Sequence, residues 1–323
     1  MESSMINCSH FSLDLYQLIE GITANPHKDL TDFLQQTESA SNALPQVLKK
    51  TLENFVLQGN LSGTLLLQDC PQEPDIDSIA TPQGISDKKS FFSESCLAMI
   101  GAELGDIFAY RQIDNGRLFH NITPNPNMEH EQSYAGSLVE LEFHTEQHFH
   151  PYSPDFLLLY CLRSVPDAKT FFSSVREVLP ELDEKYIDRL FEANFKTGID
   201  HVFGNISTKK GNGPLLPVLY GDRFDPFLRY DQDLMIGVTL EAQEALEALQ
   251  KALEKVKKSV CLKPGELLIV DNRRAVHGRS VFTPKFDGKD RWLQRAKVLS
   301  EVSSIGSEYE NDTHIITTEF HLD

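Results

Sequence analysis

The chain has 323 residues, with 30 lysines and arginines against 48 aspartates and glutamates, which gives a formal net charge of −18. Hydrophobic residues make up 40% of it, enough to fill a sizeable core, so disorder of the whole chain is not expected. The negative charge repels phosphate backbones and anionic lipids, and no basic patch is visible, which argues against nucleic-acid and membrane partners. The longest purely apolar run, residues 156–162, is far shorter than a membrane-spanning helix requires.

The N-terminus begins Met1-Glu2-Ser3-Ser4 and has neither the basic start nor the apolar block of a secretory signal. The five cysteines are widely scattered and form no CxxC pair. We therefore expect a cytoplasmic protein whose cysteines are mostly free thiols, several of them buried.

The predicted elements form a mixed pattern of helices and short strands. Residues 44–57 have the apolar spacing of an amphipathic helix, and residues 139–144 alternate apolar and polar side chains as a half-buried strand does. A second helix is predicted over residues 239–258, capped by Thr239. Further short strands are expected at residues 156–162, 217–220, 266–270 and 314–320. This pattern predicts one α+β domain, a β-sandwich or jelly roll with added helices.

His144 and Glu146 lie two residues apart at the end of the strand predicted over residues 139–144. Residues at i and i+2 of a strand leave the same face, so both side chains can reach one metal ion. His148 and His150 continue the alternation, but four ligands from one strand would crowd a single ion. We predict that these two lie at a pocket rim or on the surface.

His277 ends a polar segment that follows the strand predicted over residues 266–270. Two histidines and one carboxylate on one face of an octahedral Fe(II) leave room for a bidentate 2-oxo acid and for dioxygen. Further along, Arg291 has the planar guanidinium that binds a far carboxylate bidentately. A zinc hydrolase uses a comparable ligand set with a separate general base, and the spacing leaves that alternative open.

Three blocks, residues 139–147, 230–235 and 271–280, together resemble the clavaminate synthase-like oxygenases, which depend on Fe(II) and 2-oxoglutarate. The resemblance runs from Phe108 to Arg295 and is strongest to the hydroxylases of free basic amino acids, those of L-lysine above all. It implies a double-stranded β-helix, or jelly-roll, core with flanking helices in a single oxygenase domain over residues 1–323. Residues 1–100 would then be mainly helical, and residues 101–323 would form the core, with a helical insertion near residues 239–258.

The resemblance also implies roles for individual residues. His144, Glu146 and His277 match the iron ligands, and Arg291 matches the arginine that binds the distal carboxylate of the cosubstrate 2-oxoglutarate. Thr170 matches a hydroxyl that assists this cosubstrate, and dioxygen is the second cosubstrate.

The substrate that the resemblance implies is a small free amino acid. Gln112 and Glu146 match residues that contact it, Gln112 at the head group, and Asp231 and Asp233 resemble an acidic pair that receives a cationic side chain. A buried carboxylate gains a charge-assisted hydrogen bond from an ammonium group, whereas a neutral side chain would leave it unpaired. Arg295 is expected to contact the cosubstrate or the substrate carboxylate, or to form a structural ion pair.

The leading hypothesis is therefore an oxygenase that hydroxylates an unactivated carbon, carbon 3 or 4, of free L-lysine. The alternatives are a hydroxylase of L-arginine or a related amino acid, an oxygenase that desaturates or cyclises its substrate, and a non-catalytic jelly-roll binding protein. The intact set of His144, Glu146, His277 and Arg291 argues against the last of these.

Overall fold

The structure is a computed structural model that describes residues 5–203, 209–311 and 313–319. The α-helices of this part of the chain are α1 (Ser12–Glu20), α2 (Leu30–Ser41), α3 (Gln46–Gln58), α4 (Phe92–Ala102), α5 (Val175–Val178), α6 (Glu184–Leu190) and α7 (Leu240–Lys255). Its strands are β1 (Met5–Asn7), β2 (Thr64–Gln68), β3 (Asp106–Tyr110), β4 (His120–Ile122), β5 (Leu141–His144), β6 (Phe156–Arg163), β7 (Thr170–Ser174), β8 (Phe195–Lys196), β9 (Leu215–Leu216), β10 (Leu219–Tyr220), β11 (Phe227–Leu228), β12 (Ile236–Gly237), β13 (Lys258–Val260), β14 (Leu267–Asp271), β15 (Ala275–Arg279), β16 (Trp292–Leu299), β17 (Tyr309–Glu310) and β18 (Ile315–Ile316). None of the described helices is both long and apolar enough to cross a bilayer.

Two sheets form the centre of the fold. The larger sheet has nine strands in the order β1-β2-β14-β6-β16-β3-β18-β17, with β4 paired to β16. Its middle strands β14, β6 and β16 are buried almost throughout, because both faces of the sheet are covered. The smaller sheet has four strands in the order β13-β7-β15-β5.

The two faces of the larger sheet contact different layers. Alternate side chains of β6, Phe156, Leu158 and Tyr160, belong to a core that they share with helices α1 to α4. The intervening Leu157 and Leu159 belong to a second core together with Ala275 of the smaller sheet. The outer face of the smaller sheet, with Val276, Phe143 and their neighbours, packs against α5, α6 and α7. The molecule is therefore an α+β fold in which two sheets face each other between helical layers.

Most of the predicted elements are confirmed, with altered ends. The helix predicted over residues 44–57 is α3, and the helix predicted over residues 239–258 is α7, whose cap Thr239 accepts a hydrogen bond from the Ala242 backbone at 3.1 Å. The strand predicted over residues 139–144 begins only at Leu141. Of the strand predicted over residues 314–320, only β18 is present, and residue 320 lies outside the described residues.

Residues 1–100 were predicted to be mainly helical, but they also contribute strands β1 and β2 to the larger sheet. Strand β2 pairs with β14 in the middle of the larger sheet, and β1 extends the sheet beside it. The sequence pattern did not reveal β2, because a strand buried on both faces has a continuous apolar run, Leu65-Leu66-Leu67, without alternation. All five cysteines are free thiols, four of them buried, as predicted.

Candidate metal centre and cosubstrate pocket

Three potential metal ligands meet between the two sheets. His144 is the last residue of β5, and its direct partner across the smaller sheet is His277 of β15, so that the two ring centroids lie 4.4 Å apart. Glu146 follows β5, and its Oε2 lies 3.8 Å from Nε2 of His144 and 3.7 Å from Nε2 of His277. The three ligand atoms lie within 4.8 Å of one another, and no other such group of three occurs among the described residues.

The backbone of Glu146 is fixed by the side chain of Asn272, which lies in the turn between β14 and β15. Its Oδ1 accepts from the Glu146 backbone N–H at 2.7 Å, and its Nδ2 donates to the Glu146 carbonyl at 3.2 Å and to the Pro154 carbonyl at 2.8 Å. The next residue, Gln147, has a φ of 44°, so the chain leaves the strand direction there. Asn272 stands in one of the sequence blocks, but no spacing rule assigned it a function.

The other carboxylate oxygen of Glu146 faces two cations of the larger sheet. Its Oε1 lies 2.8 Å from Nη1 of Arg295 and 4.0 Å from Nζ of Lys297, both on β16. Burial favours the protonated acid, but Arg295 and hydrogen bonds from the two histidines hold the pKa of Glu146 well below its ordinary value. Arg295 thus forms the ion pair that was one of its expected roles. Lys297 was not predicted, because a sequence does not show which residues of two facing sheets meet.

The hydrogen bond of His144 and the protonation state of His277 suit metal binding. Nδ1 of His144 hydrogen-bonds to the Glu142 carbonyl at 2.9 Å, which directs Nε2 towards Glu146. Burial, together with repulsion from His144, lowers the pKa of His277 to about 4, so this imidazole is neutral at pH 7. Burial also disfavours a charged His144, but a hydrogen bond with Glu146 raises its pKa overall. Two imidazole nitrogens and one carboxylate on one side of a site are the donor set of non-haem Fe(II) oxygenases.

A third buried cation, Arg291, lies just before β16. Its side chain is buried, and Nη2 lies 3.5 Å from the hydroxyl of Thr170 on β7. No carboxylate lies within ion-pair distance of Arg291 among the described residues, and burial lowers its pKa to about 10. A buried guanidinium without an anion is costly, so this pocket fits the carboxylate of a small acid. The structure therefore brings Arg291 and Thr170 together, as the resemblance implies.

The predicted substrate residues are only partly gathered at this centre. Asp231 forms a backbone bridge with His144, and its half-buried side chain lies 3.7 Å from Nδ1 of His148. Asp233 is exposed, two residues further on. Gln112 donates from Nε2 to the Thr318 carbonyl at 2.6 Å. Among the described residues its buried Oε1 has no hydrogen-bond partner, and its side chain makes no hydrogen bond to the candidate ligands.

His148 and His150 were predicted at a pocket rim or on the surface; both are buried, so the surface alternative is wrong and the pocket rim stays a prediction. The prediction extended the alternation of β5 beyond His144, but the strand ends there and the chain turns at Gln147. His148 hydrogen-bonds to the Thr197 hydroxyl, and Nδ1 of His150 accepts from the Tyr152 backbone at 3.0 Å. Trp292 is fully buried.

Comparisons with known proteins agree with this geometry. Residues 87–297 match the family "Taurine catabolism dioxygenase TauD, TfdA family". The chain is 33% identical over 320 residues to clavaminate synthase 2 of Streptomyces clavuligerus, covering 97% of this chain and 98% of that protein. It is 35% identical over 293 residues to L-lysine 3-hydroxylase of Catenulispora acidiphila, covering 90% and 82%.

A solved structure of asparagine oxygenase in complex with Fe(II), 2S,3S-3-hydroxyasparagine and succinate superimposes with a TM-score of 0.88. It is 33% identical to this chain, and the match covers 98% of this chain and 100% of that one. Since the family match extends over most of the chain and these relatives align along nearly all of it, the chain belongs to the TauD/TfdA family of dioxygenases.

Proposed function

We propose that this enzyme hydroxylates an unactivated carbon, carbon 3 or 4, of free L-lysine. As a member of its family it is a 2-oxoglutarate-dependent non-haem iron dioxygenase, which uses Fe(II), 2-oxoglutarate and dioxygen. Bound Fe(II) with these two cosubstrates supplies the oxidising chemistry that replaces a C–H bond by C–OH. The protein contributes binding and orientation, and these can be derived from its own residues.

We assign the iron to Nε2 of His144, Nε2 of His277 and Oε2 of Glu146. The two oxygens of the Glu146 carboxylate have different partners, which supports this assignment. Oε1 lies 2.8 Å from Nη1 of Arg295, whereas Oε2 faces both histidines. A carboxylate held in this way offers one oxygen to a metal and leaves other coordination positions open. Asn272, in the turn between β14 and β15, keeps the Glu146 backbone in place.

We assign the distal carboxylate of 2-oxoglutarate to Arg291, with the Thr170 hydroxyl beside it. The pocket is buried and its guanidinium has no carboxylate partner among the described residues, so an anion that enters it replaces water by a bidentate, charge-assisted contact. The 2-oxo acid group at the other end of the molecule would then extend towards the metal ligands.

The observation that carries the choice of a cationic substrate is that the carboxylate of Asp231 has no lysine or arginine partner among the described residues. Its Oδ1 accepts from the Leu234 backbone N–H at 2.7 Å, but within the described ranges no lysine or arginine lies at ion-pair distance from it. Burial and repulsion from Asp233 and Asp231 raise the pKa of Glu142, so these three carboxylates repel one another. The side-chain ammonium of lysine relieves this repulsion, whereas the side chain of a neutral amino acid does not.

We further infer that the facing sheets are the double-stranded β-helix of this family and that the chain is one oxygenase domain. The pairing of β2 with β14 supports this inference, because residues before 100 and residues after 260 then share one sheet. Apolar side chains of the N-terminal helices α1 to α4 also belong to the same hydrophobic core as side chains of β6 and β16.

The test is anaerobic loading with Fe(II) and 2-oxoglutarate, followed by air and each common amino acid in turn. Succinate and the gain of one oxygen atom are followed by mass spectrometry. We expect succinate coupled to hydroxylysine, and nuclear magnetic resonance of the product identifies the carbon. Coupling to L-arginine would keep the acidic pocket for a cationic side chain and change the substrate, whereas coupling to a neutral amino acid alone would contradict the role of Asp231.

A variant pair sharpens this test. Asp231→Asn should reduce turnover of L-lysine while succinate formation without an amino acid continues, because the cosubstrate end is untouched. Asp222→Asn, in an exposed loop, is the matched control and should leave turnover unchanged. Equal turnover of L-lysine by Asp231→Asn and the wild type would exclude the proposed contact.

A further inference from the structure

The segment that carries Asp231 pairs with the end of β5 through an isolated β-bridge. Asp231 lies directly opposite His144 in this bridge, and the two chains run antiparallel. Side chains of residues that oppose each other in this way leave the same face, with their Cβ atoms about 4.5–5.5 Å apart. The carboxylate that the proposed function gives to the substrate ammonium is therefore one pairing step from a candidate metal ligand.

Thr145 makes three of the four hydrogen bonds that cross this bridge among the described residues. Its backbone N–H donates to the Tyr230 carbonyl at 2.8 Å, and its hydroxyl donates to the same carbonyl at 3.3 Å and accepts from the Tyr230 N–H at 3.2 Å. The fourth runs from the Gln232 N–H to the Phe143 carbonyl at 2.9 Å. Thr145 is 2% exposed and Tyr230 is 1% exposed. Loss of the hydroxyl would thus leave the Tyr230 N–H without a partner in a place that water does not reach.

The carboxylate of Asp231 is held from two further sides. Its Oδ1 accepts from the Leu234 N–H at 2.7 Å, and its Oδ2 lies 3.7 Å from Nδ1 of His148. The same nitrogen lies 3.2 Å from the Thr145 carbonyl. These contacts orient the carboxylate relative to the segment, whereas the bridge fixes the segment relative to the candidate ligands. A displacement at the bridge therefore moves the carboxylate relative to the metal.

The distance between Asp231 and the metal decides which carbon of the substrate is oxidised. L-Lysine held by its side-chain ammonium presents a row of methylene groups, and neighbouring carbons are only about 1.5 Å apart. A misplacement of about 1 Å can change the rate of a reaction about 100-fold. The bridge must accordingly be fixed more closely than the length of one carbon–carbon bond.

We propose that Thr145 is a positioning residue that selects which carbon of the substrate is hydroxylated. Its hydroxyl holds the segment of Asp231 in one place against β5, through hydrogen bonds to Tyr230 and, among the described residues, to none of the candidate metal ligands. This inference rests on the proposed function, since it takes Asp231 as the anchor of the substrate, and adds to it the residue that sets the position of that anchor.

The test compares Thr145→Val, which keeps the shape of the side chain without its hydroxyl, with Thr145→Ser, which keeps the hydroxyl. Nuclear magnetic resonance of the product gives the ratio of hydroxylation at a neighbouring carbon to hydroxylation at the main one. Thr145→Val should raise this ratio roughly 5-fold or more, the effect of about one buried hydrogen bond, and Thr145→Ser should restore the wild-type ratio. Thr145→Ala is the second variant if Thr145→Val is poorly folded.

A second readout does not depend on turnover. Without oxygen, paramagnetic Mn(II) in place of Fe(II) speeds the relaxation of nearby substrate protons, so nuclear magnetic resonance ranks the carbons of bound L-lysine by their distance from the metal. In the wild type the effect should be strongest at the carbon that is hydroxylated. In Thr145→Val it should spread to the neighbouring carbons.

Thr37→Val is the matched control, because the Thr37 hydroxyl also donates to a backbone carbonyl, that of Leu34 at 3.0 Å, from a buried position on α2. It should leave the product ratio and the relaxation pattern unchanged. The same ratio and pattern in folded Thr145→Val as in the wild type would overturn the inference alone. Equal changes in Thr145→Val and Thr145→Ser would also overturn it, because the hydroxyl would then not be their cause.

Metal affinity separates this role from an effect on the ligands. Weaker Fe(II) binding by Thr145→Val with an unchanged relaxation pattern would count against the inference, since Thr145 would then act only through its neighbours in the chain. If the substrate screen identifies a different amino acid, that acid replaces L-lysine in both readouts. If the wild type gives neither a coupled product nor a relaxation effect with any free amino acid, the proposed function fails together with the inference.

Discussion

The two faces of β16 carry two buried charge clusters that differ in how completely they are paired. On one face, Gln294 donates to Glu94 at 2.8 Å and so contacts a cluster of Lys88, Glu73 and Glu94, here called the closed cluster. On the other face lies the open cluster, which consists of the candidate ligands with Arg295 and Lys297. Both clusters are desolvated, so their difference lies in their partners and not in their burial.

In the closed cluster, the ammonium of Lys88 donates to Glu73, to Glu94 and to the Ser93 hydroxyl, which uses all three of its donors. In the open cluster, Nδ1 of His277, Nε of Arg295 and Nζ of Lys297 are buried without hydrogen-bond partners among the described residues. Complete pairing stabilises a fold, whereas incomplete pairing of buried charges indicates a place where ligands complete it. The comparison therefore predicts that the two clusters fail in different ways.

The largest effect is expected when the open cluster loses a metal ligand. His277→Ala should abolish hydroxylation, with a loss of metal affinity beyond the roughly 10- to 100-fold that outer contacts of a metal site are worth. Calorimetric titration with Fe(II) without oxygen measures the affinity, and succinate formation measures the activity. His10→Ala, an exposed histidine, is the control. Metal binding by His277→Ala equal to that of the wild type would remove His277 from the ligand set.

Loss of a charge from the closed cluster should instead lower the stability of the fold. Lys88→Met leaves two buried carboxylates without their cation, and breaking such a pair lowers the free energy of unfolding by about 3–5 kcal/mol. Urea unfolding measures the loss, and metal affinity of the folded variant should remain that of the wild type. The control is Lys49→Met, which breaks the more exposed Lys49–Glu103 ion pair and should cost less than about 1 kcal/mol. Equal losses in the two variants would show that burial of the closed cluster adds nothing.

The closed cluster should also make the stability of the fold depend on pH in acid. Burial opposes ionisation of Glu94, but Lys88 and hydrogen bonds hold its pKa at about 2, against an ordinary value of 4.5. A carboxylate with a lowered pKa contributes stability above pH 4.5 and loses it as the pH falls towards 2, a change on the order of 3 kcal/mol. Urea unfolding of wild type and Glu94→Gln between pH 6 and pH 2.5 tests this. The stability difference between them should shrink in acid, and a constant difference would contradict the assigned cause.

Sequence reasoning predicted the features that depend on neighbours along the chain. The i, i+2 spacing of His144 and Glu146 and the resemblance of the blocks around them predicted a ligand set that the structure gathers, and the family prediction is confirmed. The amphipathic pattern predicted α3 and α7 within a few residues, since such a pattern depends only on local periodicity.

The features that depend on contacts between distant segments were missed. Lys297 looks like any charged residue in the sequence, and only the facing sheets bring it to Glu146. His148 was predicted at a pocket rim or on the surface, and its burial was missed because nothing in the sequence showed that the chain turns at Gln147, a residue with positive φ that is not glycine. The predicted pair of Asp231 and Asp233 is separated in the same way, since one is half-buried beside His144 and the other is exposed.

The smallest effect is expected when the candidate ligands are all kept and only a residue that holds one of them is changed. Asn272→Ala keeps all three candidate ligands but removes the hydrogen bonds that hold the Glu146 backbone and the Pro154 carbonyl. Residues that orient a metal ligand are typically worth 10- to 100-fold in metal affinity or activity, so we expect a loss at the lower end of that range. Calorimetric titration with Fe(II), alongside urea unfolding, measures both consequences.

Asn121→Ala is the matched control for this prediction. The Asn121 side chain also makes three hydrogen bonds, to Trp292, Gln294 and Gly84, but it lies on the same side of β16 as the closed cluster. The two variants should lose similar stability, on the order of 1 kcal/mol for each hydrogen bond, and only Asn272→Ala should weaken metal binding. If both variants weakened it equally, metal affinity would depend on general rigidity, and the distinction between the two faces of β16 would not hold. A selective loss would show that the open cluster depends on how its ligands are held as well as on which ligands it contains.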